Sequence, residues 1–443
     1  MAEIIPSSNA TIKENRRVKP GQSAAPPRIL PLIISTMKLS VLSDAKFTCQ
    51  CCAKCCRGWH VELLAGESQR IAKLKWPTGD PLEKKRPEMF QHAGKVYLPH
   101  QADGSCVFLN ASSGLCRIHE QFGLETKPLG CQLYPFRIMP TFKGEATVGL
   151  RYDCPTVRKN EGLPIANEMA ELKRFADRLV LPDTFDSQTT GPFERDQIEA
   201  VCEFLATLMN GFDRNDQRTL FVVSVCDWLG EIQPEQVDRL ALAGLFGELK
   251  KRIQSATAGQ PRRVGLLQRL ALRVLLGLYL RRDEDILNGH ASRFGRLVAM
   301  FRLVVGFGDL SGLGIAHPKG SLRHARLFQP TIPAPTMDAS ALHWRMIRAK
   351  LESFQFMGSA NPGHHFLSGL RTLALLYPLV LACAKYRAGN RGSPVVEESD
   401  IDFAVAAIEH SYGRGAMLRL PFARAMEKFL LEPTVIGPLV RTI

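Results

Sequence analysis

Nine of the twelve cysteines in this 443-residue chain fall between Cys49 and Cys154. Five of them, Cys49, Cys51, Cys52, Cys55 and Cys56, stand within eight residues in the run F-T-C-Q-C-C-A-K-C-C-R-G-W-H. Core packing does not call for thiols at that density, whereas zinc and iron–sulfur clusters use them as soft ligands. A C-x2-C turn lets two thiolates converge on one metal centre. Here Cys49, Cys52, Cys55 and Cys56 spell C-x2-C-x2-C-C, and Cys51 falls outside the pattern as a bystander. Side chains of adjacent residues tend to point apart. Cys55 and Cys56 are therefore expected to serve two neighbouring centres more readily than one.

Four single cysteines complete the candidate set: Cys106, Cys116, Cys131 and Cys154. Each sits close to a Gly or Pro, as ligand loops do where backbone must approach a metal. The expected metal ligands are thus Cys49, Cys52, Cys55, Cys56, Cys106, Cys116, Cys131 and Cys154. A zinc site commonly takes four ligands, often as two C-x2-C pairs. One dense knot plus scattered singletons favours an iron–sulfur cluster (4Fe-4S), with zinc as the alternative. Eight thiols suffice for two four-cysteine centres, or for one centre with spare structural thiols. His60 and His119 lie near cysteines but read as packing or surface residues, and Trp59 is expected to pack over the metal. Cys202, Cys226 and Cys383 fall on apolar helical stretches and read as core.

Other constellations carry less chemistry. The glycines from Gly306 to Gly314 resemble a nucleotide loop, but such a loop should follow a strand. Here the residues before it have helical spacing, so a helix end with glycine stops is expected. His364-His365 reads as a helix start. The sequence has no Walker loop and no H-E-x-x-H helix.

The elements that position the thiols divide the chain in three. Residues 1–40 lack periodicity and read as a flexible leader. Residues 41–160 form a small, irregular, cysteine-rich α+β module with little apolar core of its own, which is expected to lean on metal. Residues 161–443 form a large all-helical domain, so the fold class is mostly α. Helical spacing runs over 165–181, 193–212, 217–229, 234–253, 264–287, 292–305, 338–356, 365–386, 399–410 and 421–431. In 264–287 the buried stripe is expected along Leu266, Leu267, Leu270, Val274 and Leu278. Ser399 is expected to cap its helix and Gly413 to stop it.

The net charge is +14. A basic balance suits an acidic partner, yet the arginines are scattered along amphipathic helices and read as solvated faces rather than as a nucleic-acid surface. The apolar run from Thr372 to Ala384 is too short to span a bilayer and reads as a buried helix. No secretory signal is recognisable, so a cytoplasmic location with reduced thiols is expected.

The order C-x2-C-x2-C-C, C-x-F-L (Cys106), L-C-x-I (Cys116) and K-P-x-x-C-x-x-Y-P-F (Cys131, Pro135, Phe136) resembles the YkgJ-type cysteine-cluster family over about a quarter of the chain. That resemblance implies a zinc- or iron-chelating domain. Gln132 stands where members of that family often carry Arg. The blocks around Cys55-Cys56-Arg57-Gly58-Trp59 and Leu115-Cys116-Arg117-Ile118 also resemble FliB-type flagellin lysine-N-methylases. This second resemblance implies an iron–sulfur cluster, S-adenosylmethionine and a flagellin-like protein substrate. No residue of the helical part matches a methyl-transfer or substrate-binding role. Three readings follow: a metal-binding cysteine-cluster protein, a protein lysine methylase, or a metallated module that docks on an acidic partner or nucleic acid.

Overall fold

The computed structural model describes residues 37–42, 44–58, 60–84, 86–92, 94–179, 184–234, 238–256, 264–282, 292–306 and 332–443. The leader up to residue 36, Trp59 and the glycine loop beyond Gly306 lie outside the described residues. Residues 34–443 form one compact unit.

Three small sheets organise the first part. Strand β1 (Lys38–Val41) pairs in parallel with β6 (Glu145–Leu150), and β5 (Phe136–Pro140) pairs antiparallel with β6 on its other side. β2 (Lys46–Phe47) pairs with β7 (Leu163–Pro164), and β3 (Phe90–His92) with β4 (Lys95–Tyr97). β6 is central and covered on both faces, so Ala146 to Leu150 are all buried rather than alternating in and out. On one face Ala146 and Val148 meet Leu172, Phe175 and Ala176 of helix α7 (Met169–Ala176). On the other, Thr147 Oγ1 donates to Ser353 O at 2.9 Å. A Cβ on Gly149 would stand 1.2 Å from the Gln355 amide, so any larger residue there would have to displace that buried side chain.

Residues 60–122 enclose a core of their own, with Val61, Leu63, Ile71, Trp76, Leu82, Leu98, Phe108 and Ile118 around Cys106. Trp76 stacks on Phe108 at 6.0 Å between ring centroids. The expectation of little core is corrected here, because residues scattered singly in the sequence converge in space. Cys56, Cys116 and Cys131 pack against this core. Short helices α1 (Cys55–Gly58), α2 (Glu67–Ala72), α3 (Pro81–Lys84), α4 (Arg117–Phe122), α5 (Leu129–Leu133) and α6 (Pro155–Lys159) punctuate the loops.

The remainder is helical, as the periodicity predicts. After α7 come α8 (Ser187–Thr190), α9 (Arg195–Leu208), α10 (Asn215–Glu231), α11 (Arg239–Ser255), α12 (Leu266–Leu280), α13 (Arg293–Val305), α14 (Ala341–Glu352), α15 (Phe366–Asn390), α16 (Glu398–Ser411), α17 (Pro421–Leu430) and α18 (Pro433–Thr442). α15 is the central helix. Its 25 residues would be long enough to cross a bilayer, but 83% of its most apolar window is buried inside the protein. Cys202, Cys226 and Cys383 lie buried in this core, as expected.

Three local expectations are corrected. On α12 Leu278 is buried and Val274 packs on the core as expected, but Leu266 and Leu267 are exposed and the buried face runs through Ala271, Leu272, Leu275, Leu276 and Tyr279. The helix is apolar nearly all round, so its pattern does not reveal which side faces inward. α16 starts at Glu398, with Glu397 and Asp400 forming a reciprocal cap and Ser399 already inside the helix. α18 went unrecognised because Pro433, Gly437 and Pro438 read as loop punctuation. Two expectations hold. Gly306, at φ 78°, stops α13, and His365 caps α15.

Candidate metal centre

The knot is held by its backbone. Cys51 and Ala53 take positive φ values, 52° and 58°, an uncommon conformation for residues with side chains. Cys56 N donates to Ala53 O at 3.0 Å and starts α1. Cys106 N donates to Cys56 O at 2.7 Å, which ties the Cys106 loop to the knot. Leu109 bridges to Cys116. Gly114, at φ +73°, lets its loop close on the knot, since a Cβ there would meet Cys51 O at 3.0 Å.

These ties bring Cys55, Cys56, Cys106, Cys116 and Cys131 around one cavity of about 30 Å³, walled by Val61, Leu98, Phe108 and Ile118 and lined also by His100, Lys127 and Tyr134. A second cavity of about 430 Å³ adjoins it and shares Cys55, Cys56, Cys116 and Cys131. Cys49, Cys51, Cys52 and Cys154 line this outer space with Lys54, Phe47, Phe136, Glu168 and Glu171. All eight expected residues therefore border one continuous region. Exposure falls from Cys49, Cys51 and Cys52 at the rim to Cys106 in the core.

Two expectations about the knot change. Cys55 and Cys56 do not point apart: their Sγ atoms are 4.0 Å from each other and both face the inner cavity. Successive residues on a helical turn diverge by only about 100°, against about 180° on a strand. Two thiolates on one tetrahedral zinc, at about 2.3 Å each, would be separated by about 3.8 Å. Cys51 is not set apart either, because it lies at the outer cavity beside Cys49 and Cys52.

The electrostatics suit a cation. A hydrogen bond with Cys56 and burial both push the Cys55 thiol up. Burial raises Cys106 to about 12, and Cys116 and Cys55 add to the shift. Burial also lifts Cys131 far above the ordinary thiol range, with Lys127 opposing. Each thiolate thus disfavours the next, and a bound metal ion would relieve all of them at once. Burial works to lower Lys127, but Cys131, Cys116, Cys55 and Cys56 outweigh it and keep the ammonium charged. Cys154 is raised by burial, while the backbone N–H groups of Val157 and Thr156 at the start of α6 hydrogen-bond to it and favour its thiolate. Among the described residues no three donors already stand at coordinating distance around one point. The thiols fit a metal in number, type and facing.

Of the histidines weighed in the sequence, His60 packs edge-on against Phe90 and His100, and His119 lines the outer cavity. Sequence reasoning missed His100, Lys127, Tyr134 and Asp153. Lys127 and Tyr134 flank Cys131 and Asp153 precedes Cys154, so proximity in sequence was the available signal. Asp153 is the joint between cysteine region and helical body. It accepts from Arg151 Nε at 3.2 Å and from Tyr134 Oη at 3.2 Å. Arg414 Nη2 stands 3.5 Å away and His410 Nδ1 3.8 Å, both from the end of α16 or just beyond it. Burial works to raise its carboxyl, but Arg151, His410 and Arg414 hold it well below the usual range. Nearby, Arg158 grips Asp402 of α16 at 2.6 and 3.1 Å.

Fold and site together define a cysteine-cluster domain joined to a helical body. Residues 48–155 match the model of the CxxCxxCC family, described as "Putative zinc- or iron-chelating domain". An uncharacterized protein of Methanocaldococcus jannaschii is 30% identical over 129 residues, 28% of this chain. The chain spans 42% of that relative's length. No solved structure matches.

Proposed function

We propose that the chain is an iron–sulfur protein, with the four ligands of an inner centre drawn from Cys55, Cys56, Cys106, Cys116 and Cys131 and those of an outer one drawn from Cys49, Cys52 and Cys154. The division at about residue 160 then separates the part that binds metal from the part that braces it. The observation that carries this reading is the convergence of nine thiols on two adjoining cavities. One four-coordinate zinc would leave five of them without a metal. Lys127 and Lys54 would offset the anionic charge of the thiolates. Zinc is the competing metal, and the 4.0 Å spacing of Cys55 and Cys56 is what favours it.

Anaerobic purification with analysis of iron, acid-labile sulfide and zinc tests the reading. Iron and sulfide in equal amounts, with a brown colour, are expected. Stoichiometric zinc without sulfide would sink it. Cys55→Ser and Cys52→Ser should lose metal, and Cys226→Ser, deep in the helical core, should not. Equal metal content in all three would overturn the ligand assignment.

The outer cavity favours a second reading, a lysine methylase using S-adenosylmethionine, because a space of 430 Å³ with aromatic and acidic walls beside the thiols has the size of a small-molecule site. Calorimetry of S-adenosylmethionine on the metal-loaded protein decides it. Saturable binding supports the methylase, and no heat of binding counts against it.

A further inference from the structure

Where α10, the C-terminal half of α11 and the end of α18 meet lies a cavity of about 340 Å³. None of its lining residues belongs to the two thiol cavities. Its volume falls within the range of small-molecule pockets, about 300–1,000 Å³. Three arginines line it, Arg214, Arg252 and Arg441, with a single acid, Asp216. Arg214 occupies that acid fully, because its Nε and Nη2 donate to the two carboxylate oxygens at 2.9 and 2.6 Å. The other two arginines keep their charge unbalanced. Arg441 Nε donates to Gly437 O at 3.1 Å, one turn back on α18. Gly437 leaves room for the guanidinium there, since a Cβ would meet Arg441 Nη2 at 3.2 Å. Among the described residues no acid pairs with Arg252 or Arg441. Residues 257–263, which follow Ala256 at the edge of the cavity, contain no acid and add Arg262 and Arg263. Two positive charges therefore stand at one cavity without a counter-ion.

The rest of the lining narrows the ligand. Leu220, Leu249 and Ile253 form an apolar wall, and Ser224 adds a hydroxyl. Gln217 is buried and its Nε2 donates to Ile253 O at 3.3 Å, which braces the end of α11 against α10 and fixes the shape of the space. A single carboxylate would balance one guanidinium and leave the other. A phosphate monoester carries about −1.5 to −2 at neutral pH and offers three acceptor oxygens, and guanidinium groups bind such oxygens through paired N–H donors. Free phosphate would leave the apolar wall bare.

We propose that this cavity is a binding site for a small organic phosphate, its phosphate held by Arg252 and Arg441 and its apolar body laid against Leu220, Leu249 and Ile253. This site is independent of the metal centre.

Calorimetric titration of phenyl phosphate into the full-length, metal-loaded protein tests it. Saturable binding that weakens with added salt is expected, with inorganic phosphate and phthalate each binding at least about tenfold more weakly. Arg252→Ala and Arg441→Ala should each weaken phenyl phosphate on the order of tenfold, as loss of a hydrogen bond to a charged group does. Both side chains are exposed, so metal content and melting temperature should stay as in the parent. Lys251→Ala removes a positive charge from the same helix but outside the cavity, where Lys251 pairs with Glu248 at 3.0 Å. It should leave the affinity unchanged. Four results would overturn the proposal. They are no saturable binding of phenyl phosphate, equal affinity for inorganic phosphate, equal affinity for phthalate, or the same loss in Lys251→Ala as in the two arginine variants. The second would remove the apolar wall from the site, the third would assign the cavity to a dicarboxylate, and the fourth would reduce it to the general charge of the surface.

Discussion

Replacing Asp153 by Asn removes one charge and little volume, so its effect isolates the joint between the cysteine region and the helical body. Asp153 is 9% exposed and gathers Arg151, Tyr134, Arg414 and His410. The Arg151 side chain is itself 11% exposed, so losing the carboxylate strands a nearly buried guanidinium beside further positive charge. Breaking a buried pair from one side costs about 3–5 kcal/mol. With a urea m-value of about 3 kcal/mol/M, the top of the range for small proteins and a floor for a chain this long, the midpoint should fall by at most about 1–1.7 M. Glu203→Gln is the comparison. Its ion pair with Arg239 joins side chains that are 59 and 58% exposed, and screened pairs contribute about 1 kcal/mol or less. Urea titrations of metal-loaded and chelator-treated protein, followed by circular dichroism, measure both. Asp153→Asn should also release metal faster, because the residue immediately precedes Cys154. Equal midpoints for the two variants, or a shift for Asp153→Asn below about 0.3 M, would refute the argument that burial sets the cost.

Other predictions rest on the helical body. His343 is 1% exposed, and burial holds its pKa at about 3 against 6.5 in the open chain. The unfolded chain binds the extra proton between those values, so this stability is intact above pH 6.5 and is lost as the pH falls toward 3. The loss is about 2 kcal/mol at pH 5. Urea midpoints at pH 7 and pH 5 should differ less in His343→Leu than in the parent, and identical differences would disprove the assignment. Gly369→Ala would place a Cβ 2.1 Å from the Phe356 carbonyl oxygen. Overpacking against backbone should cost at least about 1–3 kcal/mol, and an unchanged melting temperature would contradict that contact. Lys127→Met should lower metal affinity without unfolding the protein, because it removes the cation facing Cys131, Cys116, Cys55 and Cys56. Metal titration with a competing chelator reads the change.

Much of the helical body was legible because its evidence is local. The 3.6-residue period survives in nearly every segment, and Gly306 and Gly413 stop their helices at positive φ. The failures have local causes too. α12 is apolar on most sides, so its burial depends on what packs against it. Ser399 is a good capping residue, but Glu397 and Asp400 form the cap instead. α18 contains prolines that the pattern treats as breaks.

By itself the sequence determined the ligand chemistry: thiols at a density no core requires, in the order that residues 48–155 share with the CxxCxxCC family. Residue type and short-range spacing carry that information, because softness and reach are properties of the side chain and the turn that bears it. Tertiary structure alone decided which thiols face each other. Cys106, Cys116 and Cys131 are brought to Cys55 and Cys56 by loops tied over long stretches of chain, as in the bond from Cys106 N to Cys56 O across 50 residues. It also turned Cys55 and Cys56 into one cavity, returned Cys51 to the group, and set Asp153 between cations from distant segments. Such placements follow from long-range packing and low-dielectric charge pairing, which no window of sequence contains.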